Sequence, residues 1–373
     1  MAGTAATSTA TGAAGGGDGI RPDLKVRAGR GEAWSDVLLR WLTATAAVTI
    51  LLMLGALVTV LVVAALPSIQ KFGLAFFVTT EWRPNELERM VRDESGRIVR
   101  DEDGEPVVEV IPPVFGALPV IYGTAVSSAI ALVLAVPLSF GAALFLVRIA
   151  PKWLVTPVSF LVEFLAAIPS IAYGIFGMFL LAPWLQSSFQ PAMAAWLKDV
   201  PGLSWMFYQT LADGQVVEIP SAGHNMLCAG LIIAIMIIPI ITAISRDVLA
   251  SVPRAQVEGT LALGATWWQS CVEMLKYGRS ALFGAVMLGL ARAAGETMAV
   301  AMVIGNKNEI SFSPFAPAQT MASLLANEFA EATEIQRGAL VEVALILLLM
   351  SLTFNVIARY LVVGTDSRSA MAH

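Results

Sequence analysis

Apolar and polar stretches alternate along the chain on a long scale. Six apolar runs, 37–66, 120–147, 155–183, 225–250, 279–305 and 339–363, are separated by polar segments. Each has at least ~20 residues, the number a helix needs to cross ~30 Å of hydrocarbon. Backbone amides in lipid have no water to bond, so runs of this length predict helices, not isolated strands. They also lack the short alternation of a membrane barrel. The expected fold class is therefore all-α: a polytopic membrane protein with six transmembrane helices and a long external loop after the first.

Residues 1–36 are rich in Ala, Thr and Gly and then in Arg, with no apolar core, and read as a partly disordered cytoplasmic tail. The first run is too long for a secretory signal and shows no cleavage site, so its retention is expected. The loop 67–119 contains VRDESGRIVRDEDGEPVVEV, which predicts a small hairpin with turns at Ser95-Gly96 and Asp103-Gly104. Residues 120–363 form the core, and 364–373 a short cytoplasmic tail. Pro137, Pro157, Pro169 and Pro239 fall within apolar runs and invite kinks. Small residues recur at spacing four in the fifth run, first Ala281, Ala285 and Gly289, then Ala291, Gly295 and Ala299. That spacing lets helices approach closely and predicts an interior helix.

Composition agrees. The chain is 57% hydrophobic and 14% charged, with mean hydropathy +0.74, against about 25% charged residues in soluble domains. The two cysteines, Cys228 and Cys271, read as free thiols, and His224 and His373 stand too far apart for a metal-ligand spacing. No metal and no nucleic-acid partner is expected. Lys and Arg set orientation. With the N-terminus inside, the inner segments hold thirteen basic residues and the outer ones nine, six of those in the long acidic loop. The short loops decide, and they place both termini on the cytoplasmic side.

Two charges interrupt the fifth run. Arg292 and Glu296 are spaced i, i+4, which puts them on one face of a continuous helix. At 1.5 Å per residue from Ala281, Arg292 lies roughly 16 Å deep, near the midplane. Ionisable groups there cost roughly 2.5–3.5 kcal/mol each on insertion scales, which points to use. Arginine offers a permanent charge and a planar fork of donors suited to an oxyanion. Glu296, ionised, only accepts. Hydrogen phosphate can donate to it, whereas sulfate cannot, a basis for rejecting sulfate. Thr297 adds a hydroxyl beside the pair. A role in bundle packing, with the two side chains paired to each other, is the other reading. Glu163 sits near the inner end of the third run as a packing or interfacial residue, and Glu342 near the outer end of the sixth, within reach of the interface.

Residues 252–271 form the longest inner excursion. Pro253 suits a first helical turn. Leu261, Leu263, Trp267 and Trp268 give an apolar side, with Gly264 as a break. Such a segment needs either a lipid surface or a partner.

Here the residues resemble a family. Glu258-Gly259-Thr260, with Gly264 six residues after the Glu, resembles the EAA loop of ABC importer permeases. Gly259 and Thr260 replace its two alanines, Met274 its isoleucine, and Lys276-Tyr277 its Leu-Pro. LALGATWWQ at 261–269, GLARAAGETMAVAMVIGN at 289–306 and EFLAAIPSIAYGIFG at 163–177 are together similar to the PstC family, MetI-like permease subunits of phosphate ABC importers. The resemblance covers most of 115–363. It implies a six-helix permease paired with a second, PstA-like permease, on a homodimeric PstB-like ATPase, fed by an external PstS-like binding protein. It implies a coupling helix at about 254–268 that meets the ATPase through Glu258, Gly259, Ala262, Leu263 and Gly264. It also associates Arg292, Glu296 and Thr297 with phosphate passage. The chain has no Gly-x-x-x-x-Gly-Lys-[Ser/Thr] loop, so ATP and Mg are expected on the partner and the chain itself is not an enzyme. A permease for molybdate or sulfate, and an anion channel or secondary transporter, are the alternatives.

Overall fold

The computed structural model describes residues 30–90, 98, 100, 108–198, 200, 202–210, 216–218 and 222–370. The Ser95-Gly96 and Asp103-Gly104 turns, His373 and most of the N-terminal tail lie outside the described residues. Contacts divide the chain into two units, Met1–Leu57 and Val58–His373.

In the first unit the described residues belong to helix α1 (Arg30–Phe72), which from Val37 onward exposes mostly apolar side chains, Arg40 and three threonines apart. Thr43, Thr45 and Thr49 fold their hydroxyls onto carbonyls three or four residues back, at 2.8–3.0 Å. The helix thus hides its own polar groups, as hydrocarbon requires.

The second unit continues from the end of α1 through a one-turn helix α2 (Ala75–Val78) and strands β1 (Leu87–Met90) and β2 (Val108–Ile111). The strands pair antiparallel, with Glu88 opposite Val110, so the flanks of the expected hairpin do form. Next come α3 (Leu118–Leu144), extended by a π-helical turn Phe145–Ile149, α4 (Lys152–Ala167) and α5 (Ser170–Phe176). Wider turns and two short helices, α6 (Ala182–Trp184) and α7 (Gln190–Leu197), carry α5 on to Leu197. Strands β3 (Tyr208–Thr210) and β4 (Val216–Glu218) pair antiparallel. Then follow α8 (Met226–Ala250), α9 (Arg254–Ala262), α10 (Trp267–Tyr277), α11 (Arg279–Ala294), α12 (Met298–Val303), α13 (Met321–Glu328) and α14 (Glu334–Ala370).

Helix α8 is the axis of this unit. Asn225 caps its start by accepting from the Cys228 amide at 2.9 Å, which satisfies one of the orphan amides of a first turn. Ile232, Ile233, Ile237 and Ile241 are fully buried on it and pack against Ala131 and Ala135 of α3. Small residues set the helix spacing. A Cβ on Gly230 would stand 2.5 Å from Ile130, and one on Gly289 would stand 2.7 Å from Ile241. An aromatic cluster closes the end near α2, with Trp82 and Phe115 edge-to-face at 5.0 Å.

Five helical segments are long and apolar enough to cross a membrane among the described residues: Asp36–Phe72, Leu118–Ile149, Ser170–Leu197, Met226–Ala250 and Glu334–Ile357. The expected all-helical membrane architecture is present, but two of the six expected runs are not continuous helices. The third breaks at Ile168-Pro169, where Ile168 turns extended (φ −64°, ψ 130°). Proline supplies no amide to the ladder and its ring disfavours α geometry in the residue before it. Pro137, Pro157 and Pro239, by contrast, stay inside their helices. The fifth run breaks at Gly295–Thr297, between α11 and α12.

Candidate functional site: a helix break and an exposed turn

Gly295 ends α11. Its backbone sits at φ −92°, ψ 0°, and its amide reaches back to the Ala291 and Ala293 carbonyls. The Glu296 amide bonds Ala293 at 3.4 Å, and the Thr297 hydroxyl donates to the Gly295 carbonyl at 3.1 Å. Thr297 adopts φ −110°, ψ −66° before α12 restarts at Met298. Glu296 is thus off the helix that carries Arg292, which corrects the expectation of one continuous face. The two side chains form no ion pair, so the expected alternative of mutual pairing is absent as well. A glycine at the end of a periodic run is a helix-stop signal, and Gly295 carries it, although spacing alone does not separate it from the close-packing glycines of the same run.

Arg292 is exposed on the single chain, while Glu296 is only 8% exposed. Arg292 has no ion partner among the described residues. On α5, the Tyr173 hydroxyl donates to the Leu165 carbonyl at 2.8 Å, spanning the other break. The helices that follow the two breaks pack together: α5 lies on α12, and a Cβ on Gly174 would stand 2.7 Å from the Met302 sulfur and 3.0 Å from the Ala299 Cα. Backbone groups freed at such breaks are tolerated in a membrane only where protein or a polar cavity covers them.

The small residues of the fifth run separate by face. Ala285, Gly289, Ala293 and Ala299 are buried. Ala281, Gly284, Leu288, Arg292 and Gly295 are exposed, and nothing stands within 4 Å of a Cβ built on Gly284. The run is therefore interior on one side only.

The second candidate region is α9 and the turn after it. Val257 is buried and anchors the helix to Leu249, Val252 and Met274. Glu258, Gly259, Ala262, Leu263 and Gly264 are all exposed, Leu263 to 90%. Gly264 takes φ +86°. The Ala265 amide bonds Thr260 at 3.1 Å and the Gly264 amide bonds Leu261 at 3.0 Å, the paired closure of a Schellman end, which needs a left-handed residue. The helix expected at about 254–268 therefore stops at Ala262. Thr266 opens α10 with a capping box to Gln269. Gly278 then joins α10 to α11 without a linker, and a Cβ there would meet Val248 at 2.9 Å.

Two other acids are placed. Glu163 pairs with Arg246 at 3.4 Å, and Arg246 also bonds Asp247 at 2.9 Å. Glu342 does not reach an interface, as its position along the run suggested. It is 3% exposed and accepts from the Ser68 hydroxyl at 2.6 Å. Position along a helix gives depth, not face, and this face turns toward α1. No group of three or more His, Cys, Asp or Glu side chains stands together among the described residues, and Cys228 and Cys271 are both buried and unpaired.

The sequence pattern of the family described as "Binding-protein-dependent transport system inner membrane component" matches residues 135–366. The chain belongs to this family. It is a multi-pass inner-membrane permease with the MetI-like fold. Among its relatives is the phosphate transport system permease protein PstC of Mesorhizobium japonicum, 37% identical over 339 residues, covering 90% of this chain and 93% of that one. The protein of the same name from Pasteurella multocida is 37% identical over 89% of this chain and 93% of its own length. PstC 1 of Mycobacterium tuberculosis is 38% identical over 87% and 92%. A solved inward-facing MetNI methionine ABC transporter aligns with TM-score 0.45 at 14% identity, over 66% of this permease and 94% of that chain.

Proposed function

We propose that this permease is one half of the membrane channel of an ATP-driven inorganic phosphate importer. The observation that carries the reading is Arg292, an exposed guanidinium without an ion partner among the described residues, at the lip of the α11–α12 break, with the acceptor Glu296 and the Thr297 hydroxyl two to three residues past the end of its helix. A bidentate donor next to an acceptor suits a protonated phosphate better than a fully ionised oxyanion. The relatives named as phosphate transport permeases support the same solute.

The exposed stripe of α11 would face a second, PstA-like permease, so that Arg292 lines a path between the two. The exposed turn Ala262–Gly264, with Gly259 before it, would dock on a PstB-like ATPase that binds ATP and Mg, while Glu258 lines a cavity on the other side of the helix. A PstS-like binding protein would deliver phosphate from outside, with both termini of this chain in the cytoplasm. Because α10 and α11 join directly at Gly278, movement of the docked turn would pass to Arg292 as rigid-body rotation.

The test is radiolabelled phosphate uptake into proteoliposomes holding this permease with its partner subunits and binding protein, with and without ATP. ATP-dependent uptake that falls in Arg292→Gln supports the reading. Uptake of molybdate or sulfate in place of phosphate would reassign the solute, and uptake unchanged in both Arg292→Gln and Glu296→Gln would return the pair to helix packing.

A further inference from the structure

A cavity of about 990 Å³ opens where α3, α4, α8 and α9 meet, away from the Arg292 break. One wall is apolar and includes Leu146, Val155 and Phe160. The rest carries both signs of charge. Arg246 is neutralised within the wall by Glu163 and Asp247. Arg148, Arg254 and Glu258 also line the space and have no ion partner among the described residues.

Two buried donors in this wall lack acceptors. Arg148 Nε and Ser159 Oγ are out of solvent with no hydrogen-bond partner. Buried donors left unmade cost free energy until an acceptor arrives, most of all on a charged group. Two guanidinium groups and a hydroxyl are a donor set for phosphate oxygens. Glu258, exposed at the cavity and acceptor-only when ionised, can accept from a cationic donor in the same ligand. The three arginines and three acids around the cavity cancel, so a bare phosphate dianion gains little there from net field. A zwitterion gains from both signs.

The cavity also sits at the ends of two membrane-crossing segments, Leu118–Ile149 and Met226–Ala250, the depth at which headgroups lie. We propose that it seats an ethanolamine phospholipid. Arg148 and Arg254 hold the phosphodiester, Glu258 accepts from the ammonium, and the acyl chains run along Val155 and Phe160. Choline lacks an N–H for Glu258, and glycerol brings no positive charge. Since Arg254 and Glu258 belong to α9, the lipid becomes part of the footing of that helix. The inference does not depend on which solute is carried.

The test is lipid retention, measured by native mass spectrometry on the full chain purified with its partner subunits. The complex is exchanged through micelles holding equal amounts of phosphatidylethanolamine, phosphatidylcholine and phosphatidylglycerol. The expected result is one retained phosphatidylethanolamine, preferred roughly tenfold over either competitor. Arg148→Gln and Ser159→Ala should each reduce that preference severalfold. Soluble phosphoethanolamine should displace the lipid from the unmodified complex, a measurement that needs no variant to fold. Equal retention of the three lipids, preference for phosphatidylglycerol, a preference untouched by both substitutions, or displacement by millimolar inorganic phosphate but not by phosphoethanolamine would each overturn the proposal.

Discussion

At the scale of single residues, the proposed path gives Arg292 and Glu296 different parts in recognising an anion. Arg292→Gln keeps the size of the side chain but removes the charge and the fork. Charge-assisted hydrogen bonds contribute roughly 1.5–3 kcal/mol each, so phosphate uptake should fall by roughly 10- to 100-fold. Arg292→Lys should recover only part of it, because an ammonium is a point charge without the planar pair of donors. Glu296→Gln should act on selection instead. Replacing a carboxylate that repels sulfate by a neutral amide should lower the phosphate-to-sulfate uptake ratio roughly tenfold, measured by competition with unlabelled sulfate. These two charges were legible in sequence because an ionisable group inside an apolar run is conspicuous. Their geometry was not. Spacing i, i+4 gives a shared face only if the helix continues, and Gly295 ends it. Glu342 was misread for a related reason: its partner Ser68 lies 274 residues away in sequence, and no local pattern announces such a contact.

At the scale of elements, breaks matter more than spans. Apolar length located the helices well, since lipid imposes one rule on every crossing segment. It was silent on interruptions, because an apolar run reads the same whether one helix or two lie within it. Pro169 marked the first break and was read as a kink. Its extended Ile168 shows that the helix stops there. The contact between α5 and α12 suggests a test of packing. Gly174→Leu places a side chain against Ala299 and Met302, and overpacking of this kind costs typically 1–3 kcal/mol. The purified permease should melt at a lower temperature, with the loss confined to this site if Gly141→Leu, where nothing from elsewhere in the fold stands within 4 Å of a built Cβ, leaves it unchanged. The α9 turn offers the opposite case. Gly264 has open space around it but a left-handed backbone. Gly264→Trp therefore strains the turn and crowds the proposed docking surface, and uptake should disappear while the two permease subunits still co-purify. Normal uptake in that variant would remove the turn from coupling.

At the scale of the molecule, the second unit presents one finished face and one unfinished face along α11. Ala285, Gly289 and Ala293 are closed against the rest of the chain, while Gly284, Leu288, Arg292 and Gly295 are not. Small residues facing outward permit a second helix to come close. Cysteine at Leu288, paired with cysteines along the matching helix of the second permease, should give oxidative cross-links, whereas cysteine at the covered Ala285 should give none. Cross-linking from neither position would place the partner elsewhere. The direct joint at Gly278 sets a further condition on the whole assembly. There is no slack between α10 and α11, and each residue of helix turns the chain by about 100°. One extra alanine at that joint would leave every side chain chemically intact and yet swing the guanidinium a quarter-turn away from its present bearing. Natural variants of this protein should therefore tolerate many exchanged letters around position 278, but almost no change in their number.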